Sequence, residues 1–382
     1  LRVQEPASGN DLYLTIDLDV QKAAEEALGK DAGTIVAINP KNGEILALAS
    51  HPAFDPNQLS RTLSPADWEA LSSDPGHPLT NRATQGQYPP GSIFKLVVSA
   101  AALESKEVTL EEQINCTGGM YFGRRIYKDW KRGGHGRMDL HSAIVQSCDV
   151  FFYEVGRRVG IDRLADFAFR YGLGRPTGIE LTSEKSGNIP TTQWKIRAKG
   201  EPWFPGETLS ASIGQGFVTV TPVQMAHLIA TVAMSGVRYQ PHLIKAIRDR
   251  ATGRLFEFPP VQIGKVALAD ETYNAIRRAL SGVVSEPHGT GGAARSKMVS
   301  IGGKTGTAQV VGIQPGVATK SLPKHLQDHA WFIAYAPVED PQIAVAVLVE
   351  HGGHGGETAA PPAKRIIEEY LKNAGSKIHQ PL

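Results

Sequence analysis

Residues 87–103 read Gln87-Tyr-Pro-Pro-Gly-Ser92-Ile-Phe-Lys95-Leu-Val-Val-Ser-Ala-Ala-Ala-Leu103. Pro90 and Gly91 suit the entry to a helix, and the run that follows is so apolar that the helix it predicts is central and buried. Ser92 and Lys95 stand three residues apart, which puts a hydroxyl and an amine on one face of the first turn. A helix N-terminus lowers the cost of a forming alkoxide, and burial near other cations depresses a lysine until it can serve as a base. The pair therefore has the makings of an activated serine nucleophile. Alone, Ser-x-x-Lys is a weak signal. Ser321-Leu-Pro-Lys324 matches it too, although there a proline interrupts a loop-like stretch with no apolar helix behind it.

Working outward, residues 17–28 predict an amphipathic helix capped by Asp17 or Asp19. Residues 33–50 predict a hairpin around the turn Pro40-Lys-Asn-Gly43. Helical signals dominate over 139–158, 162–171, 221–234 and 270–284. Strands return at 299–303, 331–335 and 343–349, and residues 359–374 form a last helix opened by Pro361-Pro362. Strands from both ends with helices between them predict an α+β fold. Its antiparallel sheet comes from residues 33–50 and 299–349, is flanked by the terminal helices, and has a mainly helical lobe inserted. The expectation is a single domain, with an α/β lobe from residues 1–52 and 296–382 and a helical lobe over 53–295. The polar stretch 311–328 lies between two strands and is long enough to be mobile.

Across 382 residues, 41% are hydrophobic and 20% charged, so a sizeable core is expected and wholesale disorder is not. A formal charge of +2 gives no broad basic field, which argues against nucleic acid as a partner. No apolar run approaches the roughly 20 residues of a membrane-spanning helix. The chain starts Leu1-Arg2-Val3-Gln4 without Met and reads as a mature fragment from which targeting segments were removed.

Two further motifs give Ser92 and Lys95 a setting. Ser147-Cys-Asp149 precedes the apolar helical run Val-Phe-Phe-Tyr-Glu-Val-Gly, whereas the competing Ser72-x-Asp74 lies among loop residues. Lys304-Thr-Gly-Thr307 occurs once, at the end of an expected strand. Each motif is ordinary alone, a helix cap or a turn. In the order Ser-x-x-Lys, Ser-x-Asp, Lys-Thr-Gly, coincidence is improbable.

With these motifs in place the sequence resembles the penicillin-binding transpeptidases and their β-lactamase relatives, a class marked by the same three motifs. The resemblance runs almost the whole length. It takes in Gln87-Tyr-Pro-Pro-Gly-Ser92, Ile213-Gly-Gln-Gly216 with Thr221-Pro-Val-Gln224, and Trp331-Phe-Ile-Ala-Tyr-Ala336. Within the class it is most similar to the rod-elongation subgroup, penicillin-binding protein 2, through Asp149 in place of Asn and the segment from Lys128-Asp-Trp-Lys131 to Gly134-His-Gly136. The resemblance implies a penicilloyl-serine transferase fold and a peptidoglycan D,D-transpeptidase, a target of β-lactams, that cross-links stem peptides through a serine acyl-enzyme. In that scheme Ser92 attacks a D-Ala-D-Ala carbonyl, Lys95 takes its proton, and Ser147, with Asp149 beside it, relays a proton to the leaving amine. Backbone N–H groups of Ser92 and Thr307 form the oxyanion hole. Lys304, Thr305, Gly306 and Thr307 hold the donor carboxylate. No catalytic cofactor is implied. The resemblance further implies a membrane anchor and a pedestal domain, neither evident here, a location at the periplasmic face of the inner membrane, and glycosyltransferase and elongation-complex partners.

Three alternatives share the chemistry. A D,D-carboxypeptidase or a β-lactamase lets water deacylate the serine, and the acyl-enzyme lifetime separates these from a transpeptidase. A non-catalytic β-lactam sensor acylates once and is excluded by turnover of stem-peptide mimics.

The two cysteines, Cys116 and Cys148, bracket Asp129 and His135. Two thiolates, an imidazole and a carboxylate are acceptable tetrahedral zinc ligands, and a structural zinc would staple this Gly-rich loop to the start of the Ser147 helix. A Cys116–Cys148 disulfide and two unrelated buried thiols stay open beside it. His351 and His354, in Glu-His-Gly-Gly-His, read as a plain loop, and Trp194 and Trp203 as packing residues.

Overall fold

The computed structural model describes residues 9–311 and 322–374. Most of the polar stretch 311–328, and with it Ser321 of the second Ser-x-x-Lys match, lies outside the described residues.

A five-stranded antiparallel sheet organises the molecule, in the spatial order Gly302–Ala308, His329–Ala336, Ile343–Val349, Gly33–Ile38, Ile45–His51. The hairpin expected at 33–50 is present, and the chain's last strands pair onto it (Val345 opposite Ala37, Lys304 opposite Ile333). Both faces are covered, so the strands read as continuous apolar runs instead of alternating ones. In Ile343–Val349 the residues Ala344, Ala346 and Leu348 join one core, and Ile343, Val345, Val347 and Val349 the other. The first core is closed by the wholly buried helix Pro222–Ala233, whose Thr221 and Gln224 form a capping box, and by Lys95–Glu104. The second is closed by the helices Leu18–Leu28 and Ala360–Ala374, packed side by side. Asp17 is the cap of the first of these.

The two sheet edges are treated differently. At the Ile45–His51 edge, the Gln21 side chain pairs with both the N–H (2.7 Å) and the C=O (3.3 Å) of Leu48, which blunts it against further pairing. At the other edge stands Gly302–Ala308, the strand that carries Lys304-Thr-Gly-Thr307.

Three expectations are corrected. The helix of residues 92–103 begins as a 3-10 turn, Gly91–Phe94, and becomes α-helical only at Lys95; the i and i+3 positions still eclipse in a 3-10 turn. The single helix over 139–158 is two helices, Leu140–Val145 and Asp149–Val159, broken where Ser147 adopts φ +56°. The Lys304 motif lies inside its strand, not at its end. Small hairpins (Ile114–Cys116 with Gly136–Met138, and Gly119–Phe122 with Arg125–Lys128) occupy the loop between the cysteines. Trp194 and Trp203 pack about Phe217, as expected. Among the described residues no helix is long and apolar enough to cross a membrane.

Candidate active site

The Ser92 turn is pressed against the edge strand. Gly91 has φ +56°, and a Cβ there would sit 2.4 Å from the Thr307 carbonyl oxygen. A Cβ on Gly306 would in turn lie 2.9 Å from the Pro90 oxygen, so the glycines of both motifs are demanded by one close approach of two backbones. Side chains lock it: Gln215 Nε2 donates to the Thr307 carbonyl (2.9 Å) and Trp331 Nε1 to the Pro89 carbonyl (3.1 Å). Just before the turn, Tyr88 OH and Arg82 Nε both donate to Glu350 Oε1, at 2.6 and 3.0 Å.

Four of the expected residues form one hydrogen-bonded chain. Lys95 Nζ, wholly buried, lies 2.6 Å from Asp149 Oδ1, 2.8 Å from the Ser147 carbonyl and 3.3 Å from Ser147 Oγ. Lys304 Nζ, equally buried, donates to the same Oγ at 2.9 Å and to the Thr305 carbonyl at 3.0 Å. Burial, and after it the charge of Lys95, push Lys304 well below the ordinary lysine range, with Asp149 opposing; that suits it to exchange a proton with Ser147. The Ser92 hydroxyl is partly exposed and makes no hydrogen bond among the described residues. Lys95 shares its side of the turn but is engaged with Ser147 and Asp149. Thr305 Oγ1 meets Thr290 Oγ1 at 2.8 Å.

The break at Ser147 is held from outside. Asp129 Oδ2 accepts the N–H groups of Asp149 (2.8 Å) and Val150 (3.1 Å), capping the new helix. Trp130 donates through Nε1 to the Ser147 carbonyl (3.0 Å) and through its backbone N–H to Asp149 Oδ2 (3.2 Å). These bonds offset the cost of a left-handed non-glycine residue, about 1–2 kcal/mol. Thr290 has no signature of its own in the sequence, and Trp130 and Gln215, though inside segments that carry the resemblance, gain their importance from what they touch.

Cys116, Asp129, His135 and Cys148 converge. One donor atom from each lies within 4.8 Å of all the others. Asp129 Oδ2 is 3.4 Å from both sulfurs, and His135 Nδ1 is 3.6 Å from Cys116 Sγ and 3.4 Å from Asp129 Oδ1. Both cysteines are free and buried in this structure, and the two sulfurs share the Asp129 carboxylate. Tetrahedral zinc with bonds of about 2.0–2.3 Å sets its donors roughly 3.3–3.8 Å apart, so this donor set fits a zinc ion. His351 and His354 belong to no such cluster among the described residues.

A serine on a turn packed against an edge strand, two buried lysines and a serine between them define a class. The family model of the penicillin binding protein transpeptidase domain matches residues 33–368, and the chain belongs to that family. More particularly, it is 38% identical over 380 residues to the peptidoglycan D,D-transpeptidase MrdA of Haemophilus influenzae, covering 97% of this chain and 58% of that one. It therefore spans less than two thirds of that relative. Penicillin-binding protein 2 of Pseudomonas aeruginosa, solved with WCK 5153, superposes with a TM-score of 0.85 at 36% identity, covering 95% of this chain and 79% of that one. The Helicobacter pylori penicillin-binding protein 2 solved with MreC gives 0.84 at 30% identity, covering 94% and 64%.

Proposed function

We propose that this chain is the catalytic part of a peptidoglycan D,D-transpeptidase of the penicillin-binding protein 2 kind and a target of β-lactams. The observation that carries this reading is Ser147 Oγ between Lys95 Nζ and Lys304 Nζ, beside the Ser92 turn. The donor stem peptide lies along the edge Gly302–Ala308 as an added strand. Lys304, Thr305 and Thr307 hold its terminal carboxylate, and Gly306 lets the Ser92 turn come close. Ser92 attacks the D-Ala-D-Ala carbonyl while Lys95 takes its proton. The oxyanion sits between the N–H groups of Ser92 and Thr307, each donor worth about 3–4 kcal/mol in a comparable hydrolase. Ser147, oriented through Lys95 and Asp149, hands a proton to the departing D-Ala amine.

A structural zinc held by Cys116, Asp129, His135 and Cys148 would neutralise the buried donors and fix the break at Ser147. Asp129 is the link, since its Oδ2 also caps the Asp149 helix. The same reading gives a location at the periplasmic face of the inner membrane and elongation-complex partners, as the Helicobacter pylori relative was solved with MreC. Turnover of a D-Ala-D-Ala donor in the presence of an amine acceptor tests the activity: the chain should form the cross-linked amide and Ser92→Ala should not. Amide formation by the alanine variant would refute the assignment.

A further inference from the structure

The reaction needs a second substrate, the acceptor amine, and nothing so far says where its peptide lies. The group that protonates the departing amine must, in reverse, take the proton of the incoming one, so the acceptor amine has to come within hydrogen-bond reach of Ser147 Oγ, about 2.6–3.2 Å. The ring tied most directly to Ser147 is Trp130. Its indole N–H is spent on the Ser147 and Gln146 carbonyls, yet the residue is 57% exposed. A large aromatic ring fixed in orientation and left in water is a ready contact surface.

Trp130 also lines a cleft of about 630 Å³ together with Tyr121, Ile126, Lys128 and Arg132. Tyr121 is 80% exposed, and no partner for its hydroxyl exists among the described residues. Residues 124–132 read Arg-Arg-Ile-Tyr-Lys-Asp-Trp-Lys-Arg. Their one carboxylate, Asp129, is turned inward onto the cysteine cluster, and neither Lys128 nor Arg132 has an ion-pair partner among the described residues. The near-neutral balance of the whole chain hides a locally cationic, aromatic cleft, one wall of which, Trp130, is hydrogen-bonded to the Ser147 carbonyl.

We propose that this cleft is the docking groove for the acceptor stem peptide, with Lys128 and Arg132 pairing its carboxylates and Tyr121 and Trp130 lying against its alkyl portions. The inference rests on the transpeptidase reading. A stem peptide is an anionic chain with a free amine, which is the chemistry a cationic, aromatic groove selects. In the step it serves, the acceptor nitrogen attacks the ester carbonyl on Ser92. The C–N bond forms, the C–Oγ bond breaks, and the amine proton passes by Ser147 to the Ser92 oxygen. Lys128 and Arg132 set specificity and Trp130 is a positioning residue.

The test uses the full chain, a D-Ala-ended thioester donor and two acceptor peptides that differ only in a free or an amidated carboxyl. Amidation should raise the acceptor KM about two- to five-fold with little change in kcat, as expected for one exposed ion pair. K128E/R132E should erase that difference and lower the ratio of aminolysis to hydrolysis, while acylation by labelled penicillin stays within about two-fold. Equal KM values on the unaltered chain, or a preference that survives in K128E/R132E, would overturn the proposal; a groove that serves a glycan or another protein gives that equal result. The first comparison needs no variant, so it stands even if the double substitution misfolds. A chain that penicillin does not acylate would instead sink the Ser92 reading before any acceptor is added.

Discussion

Replacing Gly91 by alanine should slow acylation by penicillin about a hundred-fold, a loss that combines two separable effects. The new Cβ would stand 2.4 Å from the Thr307 carbonyl oxygen, where ordinary contact begins at 3.4 Å. The obstacle is backbone, so the turn must move off the strand by about 1 Å, and a misplacement of that size near the reacting atoms costs about 10²-fold. That is roughly 2.7 kcal/mol of activation free energy. The φ of +56° adds about 1–2 kcal/mol of strain to the folded state. Gly200→Ala isolates the strain: it has φ +70° and nothing within 4 Å of a built Cβ. Second-order acylation rate constants measured with a fluorescent penicillin, alongside thermal melts, read the two effects. Both variants should lose stability and only Gly91→Ala should lose rate. A Gly91→Ala chain that acylates within about three-fold of the parent would refute the argument that contact between turn and strand sets the site.

Ser147→Ala keeps the strained turn but removes the oxygen between the two lysines, and should lower acylation by about 10²–10³-fold with an unchanged circular dichroism spectrum; a near-parental rate would remove Ser147 from the relay. Burial, with Arg238 beside it, pushes His227 from 6.5 down to about 3. Below pH 6.5 the unfolded chain binds a proton that the folded chain refuses, so stability drops by about 1.4 kcal/mol per unit as the pH falls towards 3. Urea melts of His227→Gln should show a shallower fall between pH 6 and pH 4, and an unaltered slope would contradict the buried neutral imidazole. Metal analysis should find about one zinc per chain. Stripping it with a chelator should lower Tm and slow acylation together, because Asp129 joins the cluster to the Ser147 helix. A chain that melts at the same temperature after stripping would end the zinc reading.

The sequence made the sheet, its hairpin and the three motifs legible because each rests on local pattern. The runs Thr34-Ile-Val-Ala-Ile38 and Ile343-Ala-Val-Ala-Val-Leu-Val349 are buried on both faces, and Ser-x-x-Lys carries its chemistry in its spacing. The break at Ser147 was not legible. The apolar helical period of residues 139–158 runs on through Ser147-Cys-Asp149, and the interruption is held by tertiary bonds from Asp129, Trp130 and Lys95. The same holds for the small sheet that pairs Asp11–Leu14 with Ile244–Arg248, contacts between segments far apart in the chain. The metal cluster was readable as residue types but not as geometry, since short, Gly-rich hairpins fold its loop back. Thr290 was invisible because a threonine in a glycine loop gains meaning only from Thr305 beside it.

The most direct measurement is intact mass spectrometry of the chain after exposure to penicillin, followed over time, with peptide mapping of the adduct. The account predicts one penicilloyl group, carried on Ser92, persisting for hours and absent from Ser92→Ala. No adduct, an adduct on another residue, or one shed within seconds would contradict it.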